Sequence, residues 1–141
     1  MESTNELIIQ APVEVVWGLT EHVEGWPAIS PTMQSVQRLD NGPMRVGSTA
    51  RVKQPAQRPA VWTVTEFVPD KRFAWTSTVW SVQMKATHEL QPVPSGCRNT
   101  LTVEMTGRGS KLLGRLIGGQ IRRAITVENL GFKRRAEAAT T

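Results

Sequence analysis

One long amphipathic stretch closes this chain, over roughly 110–135, and what precedes it reads as a succession of short strands. That order constrains the fold more than any single residue. A sheet with one long helix must lay the helix on one of its faces to bury both apolar surfaces, and a strongly curved sheet can leave a cavity between them. The expected architecture is α+β, and the expected place for function is the space between sheet and helix.

The near-N-terminal run Leu7-Ile8-Ile9-Gln10-Ala11-Pro12-Val13-Glu14-Val15-Val16-Trp17 leads into a helix. Pro12 stands in a first turn, where its missing N–H has no intrahelical partner to lose. The segment 20–27, broken by Gly25 and Pro27, reads as one helical turn or a loop, a lid-like connection. Strands are expected at 33–39 and 48–53 around the turn Asp40-Asn41-Gly42-Pro43, and 54–59, with two prolines, reads as a loop. Strands at 61–68 and 72–79 flank Pro69-Asp70-Lys71, and strands at 84–91 and 98–106 flank 92–96. The last two alternate: Met84, Ala86, His88 and Leu90 share one face, as do Leu101, Val103 and Met105.

In the closing helix Leu113, Leu116, Ile117, Gln120, Ile121, Ala124, Ile125, Val127 and Leu130 recur at three- and four-residue spacing. Gly118-Gly119 interrupts the stripe and suggests a kink, a close backbone approach or room for something else. The chain of 141 residues fits one domain, 1–141, long enough for a core without staples. Cys97 is the one cysteine, so no intrachain disulfide forms, and the acidic, polar first residues lead to the expectation of a soluble, unprocessed protein. A cytoplasmic location is expected.

The net charge of +5 is concentrated in Arg108, Lys111, Arg115, Arg122, Arg123, Lys133, Arg134 and Arg135, set against Glu128 within that stretch. No aromatics are interleaved for stacking on bases, so nucleic acid is not an expected partner. The reading is a solvated outer helix face, with weak contact to an anionic membrane surface as the other use of such a helix. Metal-ligand spacing, a phosphate loop and a Ser/His/Asp arrangement are all lacking, and no cofactor is expected.

His88 is the candidate for chemistry, since it lies on the inward strand face and a neutral imidazole can move a proton near neutral pH. No inward carboxylate is assigned to orient it, so the preferred role is hydrogen bonding. Five tryptophans without a tyrosine give broad apolar walls suited to a ring system or acyl chain. The expected ligand-lining set is Trp26, Trp62, Trp75, Met84, His88, Met105, Leu113, Ile117 and Ile121, with Trp17 a core residue.

The stretch 11–17, followed by Val23-Glu24-Gly25-Trp26-Pro27, resembles the N-terminal signature of the START-like helix-grip superfamily (SRPBCC), and within it the polyketide cyclase/dehydrase and lipid-transport branch. Gly47-Ser48, Trp62-Thr63-Val64 before Pro69, Phe73-Ala74-Trp75 and His88-Glu89-Leu90-Gln91-Pro92 extend the likeness over nearly the whole chain. Glu21-His22 and Ala28-Ile29 depart from the common pattern. The resemblance implies a β-α-α-β6-α fold, a curved seven-stranded antiparallel sheet gripping the long C-terminal helix around a cavity. It implies an apolar or aromatic small-molecule ligand, or an aromatic polyketide cyclase/dehydratase in which His88 moves protons; the chain is expected as a monomer or, through an exposed edge strand, a homodimer.

Overall fold

The computed structural model describes residues 1–55 and 57–140; Ala56, in the expected 54–59 loop, and Thr141 lie outside them. Seven strands form one antiparallel sheet: β1 (Glu2–Ile9), β2 (Ser35–Arg38), β3 (Thr49–Lys53), β4 (Ala60–Val68), β5 (Arg72–Val79), β6 (Val82–Val93) and β7 (Gly96–Gly107), in the order β1-β7-β6-β5-β4-β3-β2. Helix α1 (Val13–Glu21), a 3₁₀ turn (Val23–Gly25) and the short α2 (Trp26–Ile29) lie between β1 and β2, and α3 (Ser110–Ala139) closes the chain. This is the expected helix-grip order.

Local chemistry explains the turns. Asp70 takes a left-handed φ of 64° between β4 and β5, a conformation that Asp tolerates better than most residues. Gly96, at φ 147°, begins β7 with its Cα against the Ile9 carbonyl, where any side chain would collide. A bulge between Val64 and Glu66 shifts the β4 register. Val64 and Phe67 can therefore both face inward, opposite Trp75 and Phe73, while Glu66 turns outward to Arg72 and Lys85.

Segment 20–27 is not a lid. Val23 and Trp26 are buried, and the Trp26 indole N–H donates to the Leu19 carbonyl at 3.1 Å, which fastens the two short turns onto α1. Trp17 belongs to the core as expected, edge-on to Phe67 at 5.3 Å.

Helix α3 runs unbroken through Gly118-Gly119. A Cβ on Gly118 would come within 2.8 Å of the Met1 side chain, and one on Gly114 within 2.9 Å. Of the three readings of the glycine pair, close approach therefore holds for Gly118; Gly119 faces open space. The helix lies over β1 and β7 at one side of the sheet, not across its middle.

The apolar stripe of α3 differs in phase from the expected one. Ile125, Gly131, Phe132 and Ala136 are buried, whereas Leu116, Gln120, Val127 and Leu130 are exposed. Asn129, a polar residue, is fully buried instead. Its side chain accepts from Asn99 Nδ2 at 2.9 Å and donates to Asn5 Oδ1 at 2.8 Å, so two strands supply the partners that make a buried amide tolerable.

Candidate functional site

The inward residues of the sheet follow from register. Trp62 on β4, Trp75 on β5 and Ala86 on β6 lie on one face, because Val64 pairs with Trp75 and Trp75 with Ala86. Pairing of His88 with Phe73 and of Met84 with Met105 adds those four to the same surface. Every strand residue of the expected lining set is thus inward-facing.

At one end of this surface the aromatic rings close on one another. Trp26 lies 5.1 Å from Trp75, 5.0 Å from His88, 5.9 Å from Phe73 and 6.0 Å from Phe132, mostly edge-on. His88 also meets Phe73 and Phe132, at 5.8 and 5.5 Å. Trp62 joins through Trp75 at 5.7 Å. Trp26, Trp75, His88 and Met105 are buried, and Trp62, Met84 and Ala86 are only half-buried although they point inward.

The α3 candidates lie on the half of that helix that precedes Ile125. Ile117, Ile121, Ala124 and Glu128 are spaced so that they share one flank of the helix, beside the face that Gly114, Gly118, Ile125 and Asn129 turn toward Met1, Asn5 and Asn99. Leu113, Ile117 and Ile121 are half-buried. Ala124 lines an open cleft of about 440 Å³ together with Thr32, Gln54, Gln120, Arg123 and Val127. The structure brings Trp26, Trp62, Trp75 and His88 into one ring cluster, and leaves Leu113, Ile117 and Ile121 on the looser part of the helix.

Burial disfavours the charged form of two groups here, His88 and Glu128. Burial among rings pushes the His88 imidazole down to about 3, and its Nδ1 has no hydrogen-bond partner. It is a neutral ring throughout the physiological range, and among the described residues no carboxylate holds it. Burial pushes the Glu128 carboxyl up to about 7, partly offset by a hydrogen bond with Thr32. Glu128 keeps some exposure as a residue while its carboxyl is surrounded by protein.

Glu128, Phe73 and Phe132 are not among the candidates from sequence. The acidic residue counts there with the outer charges of the helix, but its spacing from Ile117, Ile121 and Ala124 is the signal that places it on their flank. Phe132 lies one helical turn further on. Among the described residues no group of His, Cys, Asp and Glu side chains could hold a metal ion, and no helix is long and apolar enough to cross a membrane.

Similarity to known proteins agrees with this geometry. The chain superposes on the Zhui aromatase/cyclase of Streptomyces sp. R1128 with a TM-score of 0.82 at 17% identity, covering 100% of this chain and 96% of that one. On the TTHA0849 protein of Thermus thermophilus the TM-score is 0.78 at 21% identity, covering both chains fully. These likenesses carry the fold. A Streptomyces halstedii protein named "Putative polyketide cyclase" is 34% identical over 71 residues, which are 48% of this chain and 62% of that protein, so the match spans less than two thirds of that relative. The family model described as "Polyketide cyclase / dehydrase and lipid transport" matches residues 2–137. With its seven-stranded sheet, gripping helix and inward aromatic wall in place, the chain belongs to the polyketide cyclase/dehydrase and lipid transport family.

Proposed function

We propose that this chain binds a flat or extended apolar small molecule between the concave sheet and the flank of α3 that carries Ile117, Ile121 and Glu128. One observation supports this reading most: Trp62, Met84 and Ala86 point inward from the sheet, and Ile117 and Ile121 lie on α3, yet all are only half-buried. Side chains that point into a filled core lose nearly all their exposure, so inward but accessible apolar groups outline space that a ligand can take. The ring cluster, with His88 enclosed in it, would form the end wall. The same family supports a cyclase role. What favours that second reading is Glu128, a carboxyl group held near neutral pH on the same flank, as a proton-transfer group requires.

Titration with the uncharged fluorophore N-phenyl-1-naphthylamine tests the binding reading. Tryptophan emission should fall as the probe saturates, since Trp62 and Trp75 would line its site. Ile117→Trp should fill the space and weaken binding about tenfold or more while the far-ultraviolet circular dichroism is retained. Leu116→Trp, on the exposed side of the same helix, should leave affinity unchanged. Equal affinity in all three proteins would sink the site. Glu128→Gln then separates the two roles: a fall in affinity marks a ligand contact, and a selective fall in turnover of an aromatic polyketide-like compound with affinity kept marks proton transfer.

A further inference from the structure

Trp80 is the first of two residues in the turn between β5 and β6, with φ 59° and 96% of its surface exposed. Two things are unfavourable at once there. A bulky L-residue is forced into the left-handed region that turn glycines or asparagines take, and the largest apolar side chain is left wholly in water. Its indole makes no ring contact among the described residues. Nothing in the folding of the sheet calls for a tryptophan at this position.

The neighbourhood supplies a reason. The Ser81 hydroxyl donates to the Arg108 carbonyl at 2.7 Å, and Gly107 packs against the Ser81 carbonyl, so the hairpin tip is fastened to the turn that opens α3. In the first turns of that helix Leu112 and Leu116 sit one turn apart, 64% and 70% exposed. Arg108, Lys111 and Arg115 are exposed around them, and none forms an ion pair among the described residues. Glu2, the carboxylate in the adjoining groove with Lys111, Arg115 and Arg122, is likewise unpaired among them.

We propose that this end of the molecule, made of Trp80, Leu112 and Leu116 rimmed by Arg108, Lys111 and Arg115, docks on an anionic lipid bilayer. Indoles favour the bilayer interface, where the ring is out of water and the N–H is still wet, and neighbouring cations are drawn to acidic headgroups. A second copy of the chain is a poor occupant, because a symmetric contact would set this basic rim against itself. A folded protein would need a pocket shaped for a protruding indole, whereas a fluid bilayer parts around one. The inference is independent of what the cavity binds.

The test is co-sedimentation with vesicles of phosphatidylcholine alone and with about a third phosphatidylserine, a fraction that gives a strong negative surface. Binding is expected to the anionic vesicles and not to the neutral ones, with loss at high salt. Trp80→Ser and Arg115→Ser should each weaken it about tenfold, with thermal unfolding showing that both variants fold. Tryptophan emission should shift to the blue on binding, and Trp80→Phe should abolish that shift. Failure to bind anionic vesicles, or binding that these variants leave unchanged, would overturn the proposal. So would capture by soluble polyglutamate with none by vesicles, which would make the partner an acidic polypeptide.

Discussion

The two halves of α3 obey different rules although they are one continuous helix. From Ile125 onward its sheet-facing side is dense: Phe132 meets Trp26 and His88, Gly131 lies against the Ile29 carbonyl, and Asn129 is tied to two strands. From Ser110 to Ala124 only Gly118 is buried, and the apolar side chains are half-buried or open to solvent. The helix is thus anchored by one end and laid more loosely along the other. In a fold that must be stable and also admit something, this division separates the two demands: the dense half holds the helix to the sheet, and the loose half is free to line an opening.

The largest effect should come from truncating the dense half. Phe132→Ala is expected to cost about 3–5 kcal/mol, since a large buried ring is removed from a cluster that cannot collapse around the gap. Leu116→Ala, also an apolar truncation on the same helix, should stay within about 0.5 kcal/mol. Comparable losses in thermal or denaturant unfolding would erase the contrast between the halves.

The two most strongly shifted groups sharpen it next. The folded His88 stays neutral down to about pH 3, whereas in the unfolded chain it takes up a proton below about 6.5. Its contribution to stability is therefore present above 6.5 and is lost as pH falls toward 3. Glu128 acts in the opposite sense. Its folded carboxyl keeps its proton up to about 7, while the unfolded one releases it near 4.5. The stability it contributes is present below 4.5 and lost as pH rises toward 7. Between 4.5 and 6.5 the two slopes oppose, and the wild-type protein should be nearly level on their account. Glu128→Gln should uncover a loss on acidification of about 1.4 kcal/mol per pH unit, and His88→Gln a loss of similar size on going up. Urea midpoints measured across this range would check it; parallel profiles in both variants would mean that one of the groups is not buried in the folded protein.

The smallest effect is a gain. Trp80→Gly should stabilise the chain by roughly 0.5–1 kcal/mol, because glycine adopts the left-handed turn without a Cβ penalty. A rise of a few degrees in Tm, together with lost vesicle binding, would mark Trp80 as a residue kept at the expense of stability. A fall in Tm would instead assign the indole a structural contact.

Much of the fold is legible in sequence because β6 and β7 alternate so regularly that their inward faces, His88 and Met105 included, follow from period two alone. The strand expected at 33–39 is shorter, Ser35–Arg38, and β1 is expected only from the family resemblance. Residues such as Glu2, Asn5 and Glu6 hide β1 from an apolar pattern, since it is an edge strand and Asn5 is inward for the sake of Asn129. The phase of α3 is obscured for a related reason. Leu116, Val127 and Leu130 are apolar but outward, and Glu128 and Asn129 are polar but inward, so hydrophobicity points to the wrong side. Only partners on distant strands reveal why Asn129 belongs inside. The candidate site is correspondingly clear on the strands and incomplete on the helix, where Glu128 and Phe132 emerge only from the structure.

The bond from Asn129 to Asn5 joins residues 124 positions apart, and β1 finds its place only by pairing with β7. Closing a loop of that length costs about 4 kcal/mol in chain entropy before any of these contacts is made. A growing chain can form the hairpins β4–β5 and β5–β6 as they emerge, but its first strand must wait for the seventh, and the seam sealed by the three asparagines is the last to set. Folding should accordingly be slow for a protein of this length, and for much of the time needed to make the polypeptide β1 is a strand without a sheet.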